Sequence, residues 1–480
     1  MNHLSAAVQR PRIAARPGVV AEIRATLALG SPLAAANLAQ MAMGVTSTVM
    51  VGRLGALPLA ATGLGGMSYF TIGIVLQGVL FAVAPLAAHA HGTGDRRAVG
   101  RIAGAGLLLA VLLAPPFVGA LIAFDRLLEA LGYDAELAAG IGRFMRAMAW
   151  GAPAFLGCCV LRSLLAALSH ARSVMAVLVI CVAGNALLNW ALIFGHLGAP
   201  ALGVAGSGYA SAANQWLMLA GLALCVAIVP GLAGLRVLRG AFAPSRCAMA
   251  SLLRLGLPIG GIGALEAGVF LAAGILMGLL GANALGAHQL VTNCASISFM
   301  VPLGLSQAAT VRVAYELGAG REGAARRAGF VALALGIGFM GASAVVLWTL
   351  PRAIIGVYVD IANPANREVV RIAGQLLAIA AIFQVVDGMQ TIAAGALRGY
   401  KDTMVPLLLA AFGYWGIGFA GSWLLAFPLG YGPVGLWLGL ALGLAVVAVL
   451  LTVRLHLVAA RFGRGRQMVG VRQADDAIWE

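Results

Sequence analysis

Long apolar runs, separated by short connections that contain Gly, Pro or charged residues, follow one another along the whole chain. About twelve of these runs are long enough to cross a hydrocarbon core of about 30 Å as helices, because a helix rises about 1.5 Å per residue. The predicted spans are 26–50, 58–88, 102–124, 144–168, 173–195, 202–229, 257–280, 285–311, 329–350, 373–397, 404–426 and 433–453. The pattern therefore predicts an all-α polytopic membrane protein with about twelve transmembrane helices.

The composition excludes an ordinary soluble protein. Hydrophobic residues make up 61% of the 480 residues, charged residues only 10%, and the mean hydropathy is +0.97, whereas about 25% of a soluble protein is charged. The formal net charge of +15 does not indicate a nucleic-acid partner, because the basic residues stand singly between apolar runs. The one lysine, Lys401, is followed by Asp402, so the chain has no GK[ST] phosphate-binding loop and cannot drive transport with ATP itself.

The basic residues are unevenly divided between the two sides of the predicted spans. Most of them share the side of the N-terminus, among them Arg162 and Arg398 near span ends. Because basic loops are retained in the cytoplasm, both termini are predicted to be cytoplasmic. The Arg-rich start is not followed by a short apolar run with a cleavage site, so we expect no cleaved signal peptide and a location in the inner (plasma) membrane.

The chain repeats itself at an offset of 226 residues. LALGSP at 27–32 returns as LRLGLP at 253–258, GRLG at 52–55 as GLLG at 278–281, and GTG at 92–94 as GAG at 318–320. Each unit holds six spans, an even number, so two lobes share one orientation about an axis along the membrane normal, with a binding site between them. The predicted segments are a cytoplasmic tail (1–25), an N-lobe (26–230), a cytoplasmic linker (231–256), a C-lobe (257–455) and a second cytoplasmic tail (456–480).

Two carboxylates stand deep inside apolar runs, and all other acids lie in tails, loops or span ends. Glu266 is near the middle of the seventh span and Asp387 near the middle of the tenth. A carboxylate at that depth costs on the order of 2.5 kcal/mol or more, so it faces a bundle interior. There it binds a cation or, alternatively, makes a structural hydrogen bond. The repeat aligns Gln40 with Glu266 and no acid with Asp387, so the first lobe lacks a membrane carboxylate. We expect the pair to hold H⁺ or, together with neutral oxygens, Na⁺.

Polar side chains on several spans predict a lined cavity. Amides at helical spacing share one face of the fifth span and one face of the eighth. Such amides can equally act as interhelical hydrogen bonds without any ligand. The candidate cavity residues are Asn37, Gln40 and Ser47 on the first span, Asn185 and Asn189 on the fifth, and Gln289 and Asn293 on the eighth.

Pro32 and Pro258 occupy equivalent places in the two lobes and are candidate hinges. No cofactor is expected, and no metal site beyond the possible Na⁺ at the two acids. The six cysteines form no CxxC pair. His89 and His91 sit at a span end without a third ligand.

Several motifs together resemble the multidrug and toxic compound extrusion (MATE) family. They are VGRLG at 51–55, GAHQLVTN at 286–293, PLGLSQAA at 302–309, RVAYELGAG at 312–320, and QVVDGMQ at 384–390 leading to GALRG at 395–399. The likeness covers nearly the whole chain. It implies two pseudo-symmetric six-helix bundles that form a V-shaped central cavity and work by alternating access.

The resemblance also implies roles for individual residues. In the family, acids on the seventh and tenth helices couple cation flow to drug export, and Glu266 and Asp387 match those positions. Gln289 and Asn293 fall among the polar groups of the cavity. Many bacterial members carry an aspartate on the first helix where this chain has Ser47, so coupling through the second lobe is expected. The asparagines that accompany that aspartate are retained as Asn185 and Asn189.

These observations predict a secondary active multidrug efflux antiporter that exports cationic or amphipathic compounds in exchange for H⁺ or Na⁺. Its partners would be small-molecule drugs and the lipid bilayer, and the resemblance suggests a monomer. The alternative is a flippase for a lipid-linked cell-envelope precursor, which would line its cavity with several basic residues. A membrane enzyme would need a nucleophile or metal cluster at membrane depth, which the spans do not offer. The presence of paired acids in one lobe only disfavours a channel.

Overall fold

The computed structural model describes residues 18–130, 132, 134–229 and 245–464. Residues 1–17 of the predicted tail 1–25, residues 465–480 of the predicted tail 456–480, and most of the predicted linker lie outside these residues. The helices are α1 Val19–Gly52, α2 Ala56–Phe81, α3 Val83–Gly92, α4 Arg96–Ile122, α5 Phe124–Ala130, α6 Ala135–Ala149, α7 Ala152–Ala167, α8 Ala171–Phe194, α9 Gly203–Ile228, α10 Arg246–Leu279, α11 Ala282–Gly318, α12 Glu322–Thr349, α13 Pro351–Tyr358, α14 Arg367–Gly399, α15 Met404–Ala411, α16 Ala420–Ala426 and α17 Gly432–Arg464, with a 3₁₀ turn at Pro364–Asn366 and a π-helical segment at Phe412–Phe419.

These helices form twelve candidate spans when one bent pair is counted as a single span. The all-α architecture and the span count predicted from the sequence are confirmed. Several helices reach beyond the predicted boundaries, because hydropathy detects only the stretch that is apolar. The helix α10 begins at Arg246, inside the segment predicted as a linker.

The fourth span, predicted as one apolar run over 144–168, is broken in the structure. It consists of α6 and α7, which meet at an angle of 51°. Gly151 lies at the break, where a Cβ would come within 2.7 Å of the Ala212 backbone on α9. Pro153, in the first turn of α7, has no N–H with which to continue a hydrogen-bonded helix from α6. The close packing of Gly151 against α9 and the proline at position 153 together determine where the span bends.

The sequence repeat is present in the backbone. Gly55 and Gly281, which precede α2 and α11, both have positive φ, at 120° and 113°. Gly94 and Gly320, in the turns after α3 and α11, have φ of 79° and 69°. Both pairs are 226 residues apart. Only glycine adopts such angles readily, so the same turns are specified twice along the chain.

The two lobes meet through small residues in matching positions. Gly78 of α2 packs against Gly260 of α10, and the counterparts of these two residues, Gly304 of α11 and Ala34 of α1, pack against each other. A Cβ at any of the three glycines would overlap backbone atoms of the other lobe. Each contact therefore occurs twice, as expected for two halves related by a pseudo-two-fold axis.

Further contacts on the same side of the molecule extend this interface. Gly92, at the end of α3, meets Tyr315 of α11, and Gly318 meets His89. The ends of the helices that carry these residues form what we call the closed side. The hydrophobic core of the first lobe continues here into the other lobe through Ala248, Leu252, Leu255, Ile259, Ala308, Val311 and Ala314.

An ion pair joins the lobes at the closed side. Arg312 of α11 donates from Nε and Nη2 to the two carboxylate oxygens of Glu22 on α1, at 3.0 and 2.7 Å. Glu22 is only 1% exposed. Glu316 lies 3.2 Å from Arg312 and accepts a hydrogen bond of 2.6 Å from Arg321. Bidentate geometry and burial make this pair a strong link between the halves.

Away from the closed side the lobes part. Met67 and Phe70 lie on the same face of α2 as Gly78, eleven and eight residues before it, yet they are 60% and 56% exposed. The gap between α1 and α2 of one lobe and α10 and α11 of the other is called the cleft below. Two bundles that pack on one side and diverge on the other confirm the predicted V-shaped central cavity.

Candidate functional site

Glu266 lies at the apex of the cleft, and Asp387 is buried beside it inside the C-lobe. On α10, Gly263 still packs against the Ile74 side chain of α2, and Glu266 follows one turn later. Glu266 is half-buried and makes no hydrogen bond within the part of the chain that the structure describes. Asp387 of α14 is 6% exposed and lies within electrostatic range of Glu266. The structure thus brings together the two carboxylates that the sequence singled out.

Asp387 is held by a chain of side-chain hydrogen bonds. Gln390 Nε2 donates to Asp387 Oδ1 at 3.1 Å and also contacts Thr391 Oγ1 at 3.3 Å. The Gln390 amide oxygen accepts a short hydrogen bond from the Tyr414 hydroxyl. One oxygen of Asp387 is therefore oriented, and the tyrosine proton fixes which end of the Gln390 amide faces the carboxylate.

A second glutamine precedes Asp387 by three residues on the same helix. The amide oxygen of Gln384 accepts hydrogen bonds from Ser298 Oγ on α11 at 2.8 Å and from Ser343 Oγ on α12 at 3.2 Å. Its Nε2 has no partner among the described groups. A buried polar row along α14 consists of Gln384, Asp387 and Gln390. It is hydrogen-bonded to α11, to α12 and to the π-helical segment Phe412–Phe419.

The π-helical segment Phe412–Phe419 supplies two side chains to this site. A π-turn places side chains differently from an α-turn, and such turns often occur at functional sites. Here Tyr414 reaches Gln390, and Trp415 donates from Nε1 to the carbonyl oxygen of Leu265 at 3.2 Å. The same segment therefore contacts the helix of Asp387 and the residue before Glu266.

Arg398 supplies a positive charge near the acids. It lies eleven residues after Asp387 on α14, about 16 Å further along the helix axis. Its guanidinium interacts electrostatically with Glu266 and with Tyr414, and its Nε has no hydrogen-bond partner among the described residues. The sequence counted Arg398 only as a cytoplasmic topology signal. Its position gives Glu266 an acidic neighbour on one side and a basic one on the other.

The predicted amides of α11 lie on the cleft. Gln289, Asn293, Ser296 and Gly304 follow one another at helical spacing on one face, and Gly304 is the residue that packs against Ala34 of the other lobe. Gln289 and Asn293 are exposed and make no hydrogen bond within the described structure. Their amides are therefore free to contact a ligand in the cleft.

Ser47, Asn185 and Asn189 form a separate cluster inside the N-lobe. Ser47 Oγ lies 3.3 Å from Asn185 Oδ1 and accepts a hydrogen bond of 3.2 Å from Asn189 Nδ2. Oδ1 of Asn189, and Oδ1 of the nearby Asn214, have no partner among the described groups. The cluster offers neutral oxygens but no carboxylate, which leaves the negative charge of the site on the other lobe.

Asn37 and Gln40 do not stand free in the cleft, because both bind an arginine. Arg162 of α7 donates from Nη1 to Gln40 Oε1 at 2.6 Å and from Nη2 to Asn37 Oδ1 at 3.1 Å. The sequence assigned Arg162 to a cytoplasmic span end, and this assignment is corrected here. Asn37 and Gln40 lie near the middle of α1, so the guanidinium is drawn to that depth.

Pro32 and Pro258 are both buried inside continuous helices, α1 and α10. Each lies on the closed side of the acid or amide cluster of its own helix. In the described ranges, no group of three or more His, Cys, Asp or Glu residues could hold a metal ion.

Sequence reasoning missed several residues of this site, of which four bear directly on its charges. Tyr414 and Gln390 were visible as polar groups within apolar runs, but the bond between them depends on how α14 meets the π-helical segment. Arg162 and Arg398 were counted with the topology signals. An arginine within about two turns of a span end is ambiguous, since a long side chain can reach either the interface or the bundle interior.

Comparisons with known proteins agree with this architecture. The family model MatE matches residues 32–191 and 258–424, one segment in each lobe, and the second begins 226 residues after the first. Multidrug resistance protein NorM of Burkholderia vietnamiensis is 45% identical over 92% of this chain and 96% of its own. Probable multidrug resistance protein NorM of Pseudomonas aeruginosa is 41% identical over 92% and 90%.

Solved structures share the fold. The eukaryotic MATE transporter AtDTX14 superposes with a TM-score of 0.81 at 23% identity, over 94% of this chain and all of that one. The outward-facing conformation of a multidrug resistance MATE family transporter of the MOP superfamily gives a TM-score of 0.84 at 18% identity, over 92% and 96%.

Both the family model and the relatives cover most of the chain, each lobe included. Proteins of this family are transporters, so the chain is a polytopic membrane transporter and not an enzyme. It belongs to the MatE family of multidrug and toxic compound extrusion transporters.

Proposed function

We propose that this transporter is a secondary multidrug antiporter that exports cationic or amphipathic compounds in exchange for H⁺ or Na⁺. The observation that carries the proposal is the pair Glu266 and Asp387, two carboxylates within electrostatic range of each other in one lobe only, with Glu266 at the apex of the cleft. The names of the relatives, which describe multidrug resistance proteins, support export of several drugs.

The pair is suited to binding one cation at a time. Two carboxylates close together repel each other, and Arg398 offsets one negative charge. A proton, a sodium ion or the ammonium group of a drug can each neutralise the remaining charge. Drug and coupling ion therefore compete for the same site, which is the requirement for exchange.

Exchange also needs two states with different affinities. The lobes here are closed on one side and open on the other, and pivoting about the pseudo-symmetric interface would reverse this arrangement. A ligand shifts such an equilibrium only through its differential affinity for the two states. Pro32 and Pro258, at matching positions in α1 and α10, are the proposed hinges, while Gln289 and Asn293 contact the drug.

The charge bias of the sequence supports a bacterial inner-membrane location with both termini cytoplasmic. The closed side is then the cytoplasmic side, and the cleft opens outward. We propose a monomer, since each chain contains both lobes of the cleft. A reporter fused to the C-terminus tests the orientation, and light scattering in detergent tests the oligomeric state.

The function is tested by ethidium export from proteoliposomes under an imposed proton gradient and, separately, a sodium gradient. Export by the wild-type protein under one gradient is expected, with a loss of about tenfold or more in Glu266→Gln and in Asp387→Asn. Glu368→Gln is the matched control, because Glu368 is an exposed acid paired with Arg371 on the same helix as Asp387. Export under neither gradient, or unimpaired export in both acid variants, would contradict the proposal. The first of these results would favour the flippase.

A further inference from the structure

Arg162 stands in the wall of the N-lobe without an acidic partner. Its two observed side-chain acceptors are the neutral amide oxygens of Gln40 and Asn37. Among the described residues its electrostatic neighbours are the thiols of Cys158 and Cys159, not a carboxylate. Burying an arginine without a counter-ion is costly. A guanidinium also has five N–H donors, so the two amides leave donors unused.

The exposed part of Arg162 opens to the inside of the protein. Every residue of α7 is buried except Pro153 and Arg162, which are half-buried. A helix that is covered on all sides presents no face to lipid. The free donors of Arg162 therefore face the interior space that Asn37 and Gln40 also border.

That space is the cleft. Ala34 of α1 packs against Gly304 of the other lobe, and Asn37 and Gln40 follow one and two turns later, where the lobes part. Gln40 is the counterpart of Glu266 at the repeat offset. The amide–arginine cluster of the N-lobe and the acid pair of the C-lobe thus occupy corresponding positions, with opposite charge.

We propose that Arg162, held by Asn37 and Gln40, binds the carboxylate of zwitterionic substrates whose amine binds Glu266 and Asp387. This inference rests on the proposed function and assigns it a further specificity-determining residue. Arginine binds carboxylates in a planar, two-point geometry, and the amides keep its fork oriented before the substrate arrives. A substrate with an amine and a carboxylate at opposite ends would bridge the two lobes.

The experiment compares one zwitterion with its ester. Ciprofloxacin carries a piperazine ammonium and an aryl carboxylate, and its methyl ester retains only the cation. Export of ciprofloxacin, the ester and ethidium is measured in proteoliposomes that contain the wild-type protein, Arg162→Gln, Arg162→Lys or the control Arg143→Gln. Arg143 is exposed on α6, in the other half of the same bent span.

The wild-type protein should prefer the acid over the ester. Arg162→Gln should raise the KM for ciprofloxacin by about 10-fold or more, the size expected for a lost charged hydrogen bond. The KM values for the ester and ethidium should change less than about twofold, because neither compound has a carboxylate for Arg162 to bind. Arg162→Lys should retain part of the preference, and Arg143→Gln should match wild type.

Two results would overturn the inference. Equal impairment of all three compounds in Arg162→Gln would assign the arginine to helix packing, and an unchanged preference for the acid would show that it does not contact the substrate. If Arg162→Gln exports nothing, equilibrium binding in detergent decides, because the ratio of acid to ester affinity must fall towards one. Failure of the wild-type protein to export ethidium would instead contradict the proposed function.

Discussion

At the scale of single residues, the chemistry of this transporter depends on which neighbour each amide holds. Gln390 orients Asp387 in the C-lobe, and Gln40 orients Arg162 in the N-lobe. A glutamine amide therefore orients an acidic side chain in one lobe and a basic side chain in the other. Fixed partners reduce the reorganisation that binding would otherwise require.

The hydrogen bond from Tyr414 to Gln390 gives a test at this scale. Tyr414→Phe removes the donor that fixes the Gln390 amide, so the hold of Gln390 Nε2 on Asp387 weakens. One hydrogen bond is worth about 0.5–1.5 kcal/mol, so the coupling-ion concentration at half-maximal export should change by about 2- to 10-fold.

The control for this variant is Tyr431→Phe. Tyr431 is 60% exposed, in the turn before α17, and its hydroxyl makes no hydrogen bond that the structure describes. Equal ion dependence in Tyr414→Phe and Tyr431→Phe would show that the Tyr414–Gln390 bond does not tune Asp387.

At the scale of helices, glycines decide how closely the lobes approach. The α2–α10 contact and its counterpart between α1 and α11 leave no room for a side chain at Gly78, Gly260 or Gly304. The closed state therefore depends on backbone-to-backbone packing that a single methyl group would prevent. The ion pair between Glu22 and Arg312 then locks the same side.

Gly260→Ala tests this packing. The new Cβ would lie 2.5 Å from the Val75 carbonyl oxygen and 3.0 Å from its Cα, so the closed side should fail to form. We expect export to fall by about tenfold or more, since overpacking costs about 1–3 kcal/mol, while ethidium binding in detergent persists. Gly274→Ala on the same helix is the control, because a Cβ at Gly274 has no neighbour within 4 Å. Equal export by the two variants would contradict this role for the interface.

The helices were predictable from the sequence because apolar runs of span length have few alternatives in a membrane. The bend between α6 and α7 was not, since it depends on how Gly151 meets α9. The two acids were evident because carboxylates are rare at membrane depth. The roles of Tyr414 and Arg162 were not, because each depends on a contact between helices far apart in sequence. Hydropathy reports which segments cross the membrane, but it does not report which polar groups meet.

At the scale of the whole molecule, a symmetric backbone carries an asymmetric charge pattern. Turns, interface glycines and prolines inside helices recur at one offset, as the turn glycines Gly55 and Gly281 illustrate. The ionisable groups do not recur: the C-lobe has Glu266 and Asp387, where the N-lobe has Arg162 and amides. Symmetry suits the two-way motion of the lobes, while the broken charge symmetry gives the cleft an acidic wall and a basic wall.

The central claim is that drug and coupling cation compete for the C-lobe acids, and cation release on drug binding tests it most directly. Ethidium is added to purified protein in weakly buffered detergent solution, and released H⁺ is read with a pH indicator and released Na⁺ with a radioactive tracer. The charges of Glu266, Asp387 and Arg398 sum to one negative charge, so the account predicts about one cation released per ethidium bound. Glu266→Gln should abolish the release. Ethidium binding by the wild-type protein without release of either ion, or equal release from Glu266→Gln, would contradict the account.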